Sequence, residues 1–236
     1  MNTLIIETAT SYELVAAGSD GRIADLGADA GVSHSITLFD SIEGALHQLD
    51  LQPDAIDLIG VGVGPGSFTG IRIAVTTARM LAQVLSVPLV DIHTPMIYAA
   101  SADIKAGSVI AVAFDAKKNR VFGAAYQKKG DSIIPEEIVP PGDYSIEELL
   151  EAIPRDLPVY TTGNGIHRFM ERALSTRNGL IHLQGIKPSG RISINLLEKL
   201  YAEQPGLYKD YSRVIPLYTR KSDAEIVKEL KKRKKK

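Results

Sequence analysis

The sequence predicts an α/β protein built from two similar lobes, and three observations carry that expectation. Short apolar, strand-like runs alternate with segments of helical period. A strand, polar turn and second strand occur near Thr3 and again from Ser108. A glycine-rich loop, Gly64 to Gly70, joins a buried strand to a long helix. Alternating strands and helices favour a layered α/β sheet, and the recurrence of the opening unit favours a duplicated lobe.

Thr3 to Glu7 reads as an apolar strand and Glu13 to Ala17 as a second, after a Thr-Ser turn. Ser19-Asp20-Gly21 is a hairpin signal, so Arg22 to Gly27 becomes the third strand of an antiparallel meander. From Ser35 to Leu49 the period turns helical: Ile36, Phe39, Ile42, Ala45, Leu46 and Leu49 share one stripe. Pro53 ends that element. Ile56 to Val63 is a buried strand, and a helix runs from about Ile71 to Leu85 behind the glycine loop. On that helix Gly70, Ala74, Ala78 and Ala82 recur every four residues, a smooth ridge that suits either internal core or a helix–helix subunit interface. Val87 to Ile92 is then a strand, and Pro95 to Ala102 a short helix.

The second half opens with strands Ser108 to Phe114 and Val121 to Tyr126 around an Asp115–Asn119 turn. Pro135 to Gly142 reads as irregular, Ile146 to Ile153 as helix, Val159 to Thr162 as strand, and Ile166 to Leu174 and Ile192 to Tyr201 as helices.

The composition is that of a globular protein: 236 residues, 44% apolar and 23% charged. With no cysteine, disulfides and thiolate metal sites are excluded. No apolar run approaches the roughly 20 residues that span a bilayer, and no signal-like segment opens the chain, so a cytoplasmic protein with no membrane contact is expected. The net charge of −1 hides a basic tail: residues 228–236 hold seven Lys/Arg against Glu229. Such a tail suits contact with RNA or an acidic partner, or is simply a solvated terminus.

The polar turns carry the candidate chemistry. Glu7-Thr8-Ala9-Thr10-Ser11 follows the first strand, and Asp115-Ala116-Lys117 follows its counterpart. In a two-lobed α/β protein such paired turns can face one cleft and hold Mg²⁺ and phosphates; singly, each is an ordinary turn containing an acid. The glycine loop lacks the lysine and spacing of a Walker motif, and Gly70 falls one place late for G-x-G-x-x-G. The histidines, His34, His47, His93, His167 and His182, form no i, i+4 pair. His93 alone lies near the glycine loop's helix. No nucleophile elbow is present.

Gly64-Pro65-Gly66-Ser67-Phe68-Thr69-Gly70-Ile71-Arg72, followed by Ala78-Arg79-Met80-Leu81-Ala82, resembles the signature of the TsaB (YeaZ) family. Leu4-Ile5-Ile6-Glu7-Thr8, His34-Ser35, Asp115-Ala116, Gly163-Asn164-Gly165 and Pro216-Leu217-Tyr218-Thr219-Arg220 follow in the family's order, so the resemblance spans about residues 1–220. It implies an actin-like ATPase (ASKHA) fold of two related lobes with a reduced second lobe. The boundaries expected are 1–103, 104–220 and a basic tail, 221–236.

The resemblance also implies a non-catalytic subunit. It would bind a TsaD-like protein and, with a TsaE-like ATPase, serve the threonylcarbamoylation of the tRNA adenosine next to the anticodon; alone it would self-pair as a homodimer. Ile36, Phe39, Ile42, Leu46, Gly70, Ala74, Ala78 and Ala82 are then the interface candidates. Glu7, Thr8, Gly64, Gly66 and Asp115 would form a vestigial nucleotide site. No cofactor is expected beyond a weak nucleotide site at the TsaD junction.

The catalytic relative holds its metal with H-x-x-x-H, whereas here the segment reads His93-Thr94-Pro95-Met96-Ile97-Tyr98, which leaves at most one histidine and no expected metal. The alternative is an active enzyme of the same fold, a small-molecule kinase or glycoprotease-like hydrolase, using Glu7, Asp115 and the glycine loop to hold Mg-nucleotide.

Overall fold

In a computed structural model of the chain, residues 1–29 and 34–220 are described, apart from the side chains of 34–36. The basic tail and the Ile36 side chain lie outside the described residues.

The first half runs β1 (Thr3–Glu7), β2 (Tyr12–Ser19), β3 (Arg22–Asp25), β4 (Ala28–Asp29), α1 (His34–Gln48), β5 (Leu58–Gly62), α2 (Phe68–Leu85), β6 (Leu89–Ile92) and α3 (Thr94–Ala100). The second runs β7 (Val109–Asp115), β8 (Val121–Gln127), β9 (Glu136–Tyr144), α4 (Ile146–Glu151), β10 (Val159–Thr162), α5 (Asn164–Arg168), α6 (Met170–Thr176), β11 (Ile181–His182) and α7 (Gly190–Glu203). The first sheet has the order β3-β2-β1-β5-β6, with β4 beside β2; the second repeats it as β9-β8-β7-β10-β11. In both, the first three strands are antiparallel and the last two join in parallel. The duplication expected from the opening units is therefore present at the level of topology, and the mixed α/β architecture is the two-lobed one that the actin-like class implies. The second lobe is the reduced one: α1 and α2 have 15 and 18 residues, whereas α4, α5 and α6 have 6, 5 and 7.

Side-chain alternation explains the layers. Leu4 and Ile6 of β1 face α1 and α2, while Ile5 faces the opposite side with Ile194 and Leu197 of α7. In the second lobe Val109, Ala111 and Ala113 meet α4 and α6, while Ile110 and Val112 meet Tyr98 and Ala99 of α3. The last helix of each half thus covers the other half's sheet. This corrects the expected boundary of 104–220: from Gly190 the chain has returned to the first lobe.

Other elements also depart from expectation. Of the segment 135–142, expected to be irregular, residues 136–142 belong to β9. It pairs with β8 alone, and a register shift absorbs Pro140 and Pro141 at this edge. The helix expected over Ile166 to Leu174 is two helices that part at Phe169. α1 stops before Pro53: its chain turns at Asp50, with φ 58°, and Pro53 opens a short 3₁₀ turn.

The smooth ridge of α2 needs the largest correction. Gly70, Ala74, Ala78 and Ala82 are all buried, the three alanines with no exposed surface, and they pack on the chain's own core. A partner cannot reach them, so the ridge is spent on docking α2 to its own sheet. Ile42 and Leu46 of α1 are buried in the same core. Of the expected interface residues whose side chains are described, Phe39 is the one that is exposed, at 56%.

Gly70 shows why the ridge begins with glycine. A Cβ there would fall on the Thr8 carbonyl oxygen, a backbone atom held in place by β1. Gly70→Ala should therefore lower the free energy of unfolding by about 3 kcal/mol, the upper end for overpacking. Gly206→Ala, whose added methyl meets open space, should change it by less than about 0.5 kcal/mol. Urea unfolding of both variants checks this, and equal effects would contradict the close-approach reading.

Candidate functional site

A cleft of about 710 Å³ opens between the lobes. As the paired-turn reading expected, Ala9, Thr10 and Ser11 line it from one lobe and Asp115, Ala116 and Lys117 from the other, with Gly66, Ser67 and Phe68 of the glycine loop beside them. The loop's Ser67 caps α2, its side chain accepting from Gly70 N at 3.3 Å.

The residues expected to form a vestigial nucleotide site separate into two groups. Gly66 and Asp115 line the cleft; Glu7, Thr8 and Gly64 lie buried beneath it. The Glu7 carboxyl accepts from the Ala9 backbone N–H through Oε1 and from Thr94 Oγ1 at 2.6 Å through Oε2. Thr94 Oγ1 in turn accepts from Gly64 N at 3.1 Å, and Thr94 N donates to Gly64 O at 2.9 Å. Thr8 Oγ1 donates to Gly70 O at 2.7 Å. Gly62 completes the enclosure, because a Cβ there would collide with Glu7 Oε2. Glu7 therefore ties the end of β1 to the glycine loop and to the start of α3. It is not placed to meet a ligand in the cleft.

Asp115 is placed to meet one, but its carboxylate is already engaged. Arg168 donates to it at 2.7 Å, Lys117 Nζ at 3.2 Å and Lys117 N at 2.9 Å. Partial burial would raise its pKa, but these donors outweigh that and hold it below the usual carboxylate range. Both acids that a Mg-nucleotide site would need thus serve other bonds.

The H-x-x-x-H segment has likewise gone to structure. His93 is partly exposed with Nδ1 3.9 Å from Glu137 Oε2, and Thr94 is the Glu7 partner. Tyr98 is buried with its hydroxyl 2.9 Å from Thr10 Oγ1, and burial pushes its phenol above the ordinary range. Among the described residues no three His, Cys, Asp or Glu side chains converge as a metal site would require.

Sequence reasoning missed most of the cleft wall. Phe114 and Phe122 stand on β7 and β8, His182 on a strand of two residues, and Arg220 at the end of the described chain. Periodicity gives no signal for so short a strand. Arg220 was within reach, as the last residue of the Pro216–Arg220 motif. Missed also were Met80 and Val84 of α2, which are 46% and 75% exposed.

Three comparisons bear on identity. The family profile for TsaD, tRNA N6-adenosine threonylcarbamoyltransferase, matches residues 28–162. The tRNA threonylcarbamoyladenosine biosynthesis protein TsaB of Bacillus subtilis is 31% identical over 188 residues, covering 77% of this chain and 80% of that protein. The protein of the same name from Escherichia coli is 31% identical over 108 residues, 46% of this chain and 47% of its own length. The structure of YeaZ from Pseudomonas aeruginosa superposes with a TM-score of 0.80 at 24% identity, covering 92% of this chain and 99% of that one.

One of the two histidines that line the cleft, His182, sets a pH dependence. Burial, with a smaller contribution from nearby His167, holds the His182 imidazole below its usual 6.5, although a bond with Thr161 acts in the other direction. The folded state then binds fewer protons than the unfolded one, so stability is lost as pH falls below about 6.5. Asp115, with its depressed pKa, titrates well below that window. Between pH 7.5 and 5.5 the wild type should lose more unfolding free energy in urea than His182→Gln; equal losses would refute the assignment.

Proposed function

Because the chain belongs to the TsaB (YeaZ) family of tRNA threonylcarbamoyladenosine biosynthesis proteins, we propose that it is the non-catalytic subunit that docks a TsaD-like protein. With a TsaE-like ATPase, the assembly transfers a threonylcarbamoyl group to the tRNA adenosine beside the anticodon, in the cytoplasm. Alone, the chain pairs with a second copy through the same surface.

The observation that carries this reading is the outer face of α1 and α2. The two helices lie side by side on one face of the first sheet, and their inner faces are spent on the core. Outward they present Phe39, Met80 and Val84, large apolar side chains that are about half exposed or more. Met80 and Val84 are four residues apart and so share one stripe of α2. Exposed apolar groups on two neighbouring helices supply the material of an interaction surface, and an aromatic that becomes buried is the usual energetic anchor of such an interface. The non-catalytic part of the reading is supported by Glu7 and Asp115, each already committed to partners within the chain.

Phe39→Arg combined with Met80→Arg should reduce co-purification of a co-expressed TsaD-like partner at least tenfold while leaving the melting temperature within a few degrees of wild type. Ala78→Arg should instead destabilise the fold, since Ala78 is fully buried. Undiminished capture by the double variant, confirmed as folded by circular dichroism, would overturn the docking surface.

A further inference from the structure

The chain's charge is unevenly placed. Of its 27 Lys/Arg and 28 Asp/Glu, residues 228–236 hold seven and one, so the remainder carries 20 against 27, a net charge of −7. Residues 231–236 are cationic without exception and include no apolar side chain. An acidic body has little to attract a polyanion, so any such attraction is concentrated in this run.

The described chain limits where that run begins. Leu217 N donates to Val63 O at 2.8 Å, and Tyr218 stacks on Phe68 with ring centroids 4.3 Å apart and planes 10° apart. Arg72 lies over both rings and its Nε donates to the Tyr218 hydroxyl at 2.7 Å. Just before this stack, the 3₁₀ turn Tyr211–Arg213 packs on α2. Arg72, Arg213 and Tyr218 are exposed, and none of them lines the inter-lobe cleft. Among the described residues neither arginine has a carboxylate partner. Lys228 follows Arg220 by eight residues, at most about 28 Å of chain. The cationic run therefore starts within that reach of a guanidinium–aromatic stack that is open to solvent.

We infer that this chain binds RNA itself. Residues 228–236 meet the phosphate backbone, and the surface of Arg72, Arg213 and Tyr218 meets an unstacked base and its phosphate. A phosphate backbone asks for charge alone, whereas a protein partner is held mainly by buried apolar anchors, which residues 231–236 lack. An exposed ring beside a guanidinium is a usual seat for a single-stranded base. The family's pathway modifies tRNA, which supplies such a polyanion. Met80 lies two turns beyond Arg72, about 12 Å along α2, so RNA and a docked protein would take neighbouring surfaces. The inference rests on the family's tRNA pathway and not on the docking of a TsaD-like protein, because RNA binding is read on this chain alone.

Fluorescence anisotropy of a labelled, unmodified tRNA transcript with the full chain, across a salt series, tests it. Seven cations on phosphates give a slope of log affinity against log salt of about −5 to −6. Ending the chain after Val227 should weaken binding at physiological ionic strength at least tenfold and flatten that slope by about three or more. Replacing all six residues 231–236 with glutamine should do the same with the chain length kept. Arg72→Gln and Arg213→Gln should each flatten the slope by about one. Lys199→Gln should not, because α7 covers the opposite face of the first sheet from α2. Unlabelled polyglutamate of equal total charge should displace the transcript at least tenfold less well than unlabelled tRNA. The inference fails if the folded, shortened chain binds like wild type, or if both arginine variants keep the wild-type affinity and slope. It fails also if polyglutamate competes as well as tRNA, which would mark the run as a site for an acidic protein. That competition uses the wild type alone, so it decides even if a variant does not fold.

Discussion

The enclosure of the Glu7 carboxyl is the constraint on which the remaining structure depends. A buried acid must have its oxygens satisfied, because a polar group taken from water without partners costs several kcal/mol, roughly 2–7 on transfer scales. Here the partners come from three separate places: the backbone after β1, the side chain that opens α3, and through it the glycine loop after β5. Gly62 leaves the space the carboxyl fills, and Gly70 lets α2 start directly against the Thr8 carbonyl. One side chain thus sets the relative positions of two strands, a loop and the first turn of α3, while Thr8 and Gly70 seat the first turn of α2. The glycines serve close backbone approach, which needs no phosphate to explain it.

The same bond reaches the second lobe. α3, whose first residue Thr94 donates to Glu7, lies on β7 and β8, while α7 returns the exchange by covering β1 and β2. Each sheet therefore buries one face under a helix supplied by the other half, and neither half can complete its core alone. The consequence for function is a cleft whose two walls are held by shared helices. The outer faces of α1 and α2 carry no such structural duty, so they can be given over to contact with another protein.

How much of this the sequence displayed depends on whether a feature is local. The strands around the two polar turns, α1 and α2 were legible because hydrophobic period and turn chemistry act over a few residues. β9 was not, because Pro140-Pro141 ordinarily breaks a strand; an edge position and a bulge remove the objection, and neither can be seen from the sequence. The two-residue strands β4 and β11 have no period at all. The row Gly70, Ala74, Ala78, Ala82 was legible as a packing ridge, yet its partner was not: small residues at i, i+4 fit a sheet as well as a second helix. The cleft itself was half visible. Both turns were found, but which of their residues point in and which point down is a matter of tertiary contacts.

That last distinction explains how one duplicated unit acquires two chemistries. Glu7 ends β1 and Asp115 ends β7, and each of these strands is the central one of its sheet. They are equivalent positions, and both hold an acid. In the first lobe the glycine loop folds over the acid and removes it from solvent. In the second lobe the short helix α5 leaves the acid at the cleft wall, where Arg168 and Lys117 meet it. Two carboxylates that together would draw a cation into the cleft are thereby withdrawn, one by burial and the other by ion pairing.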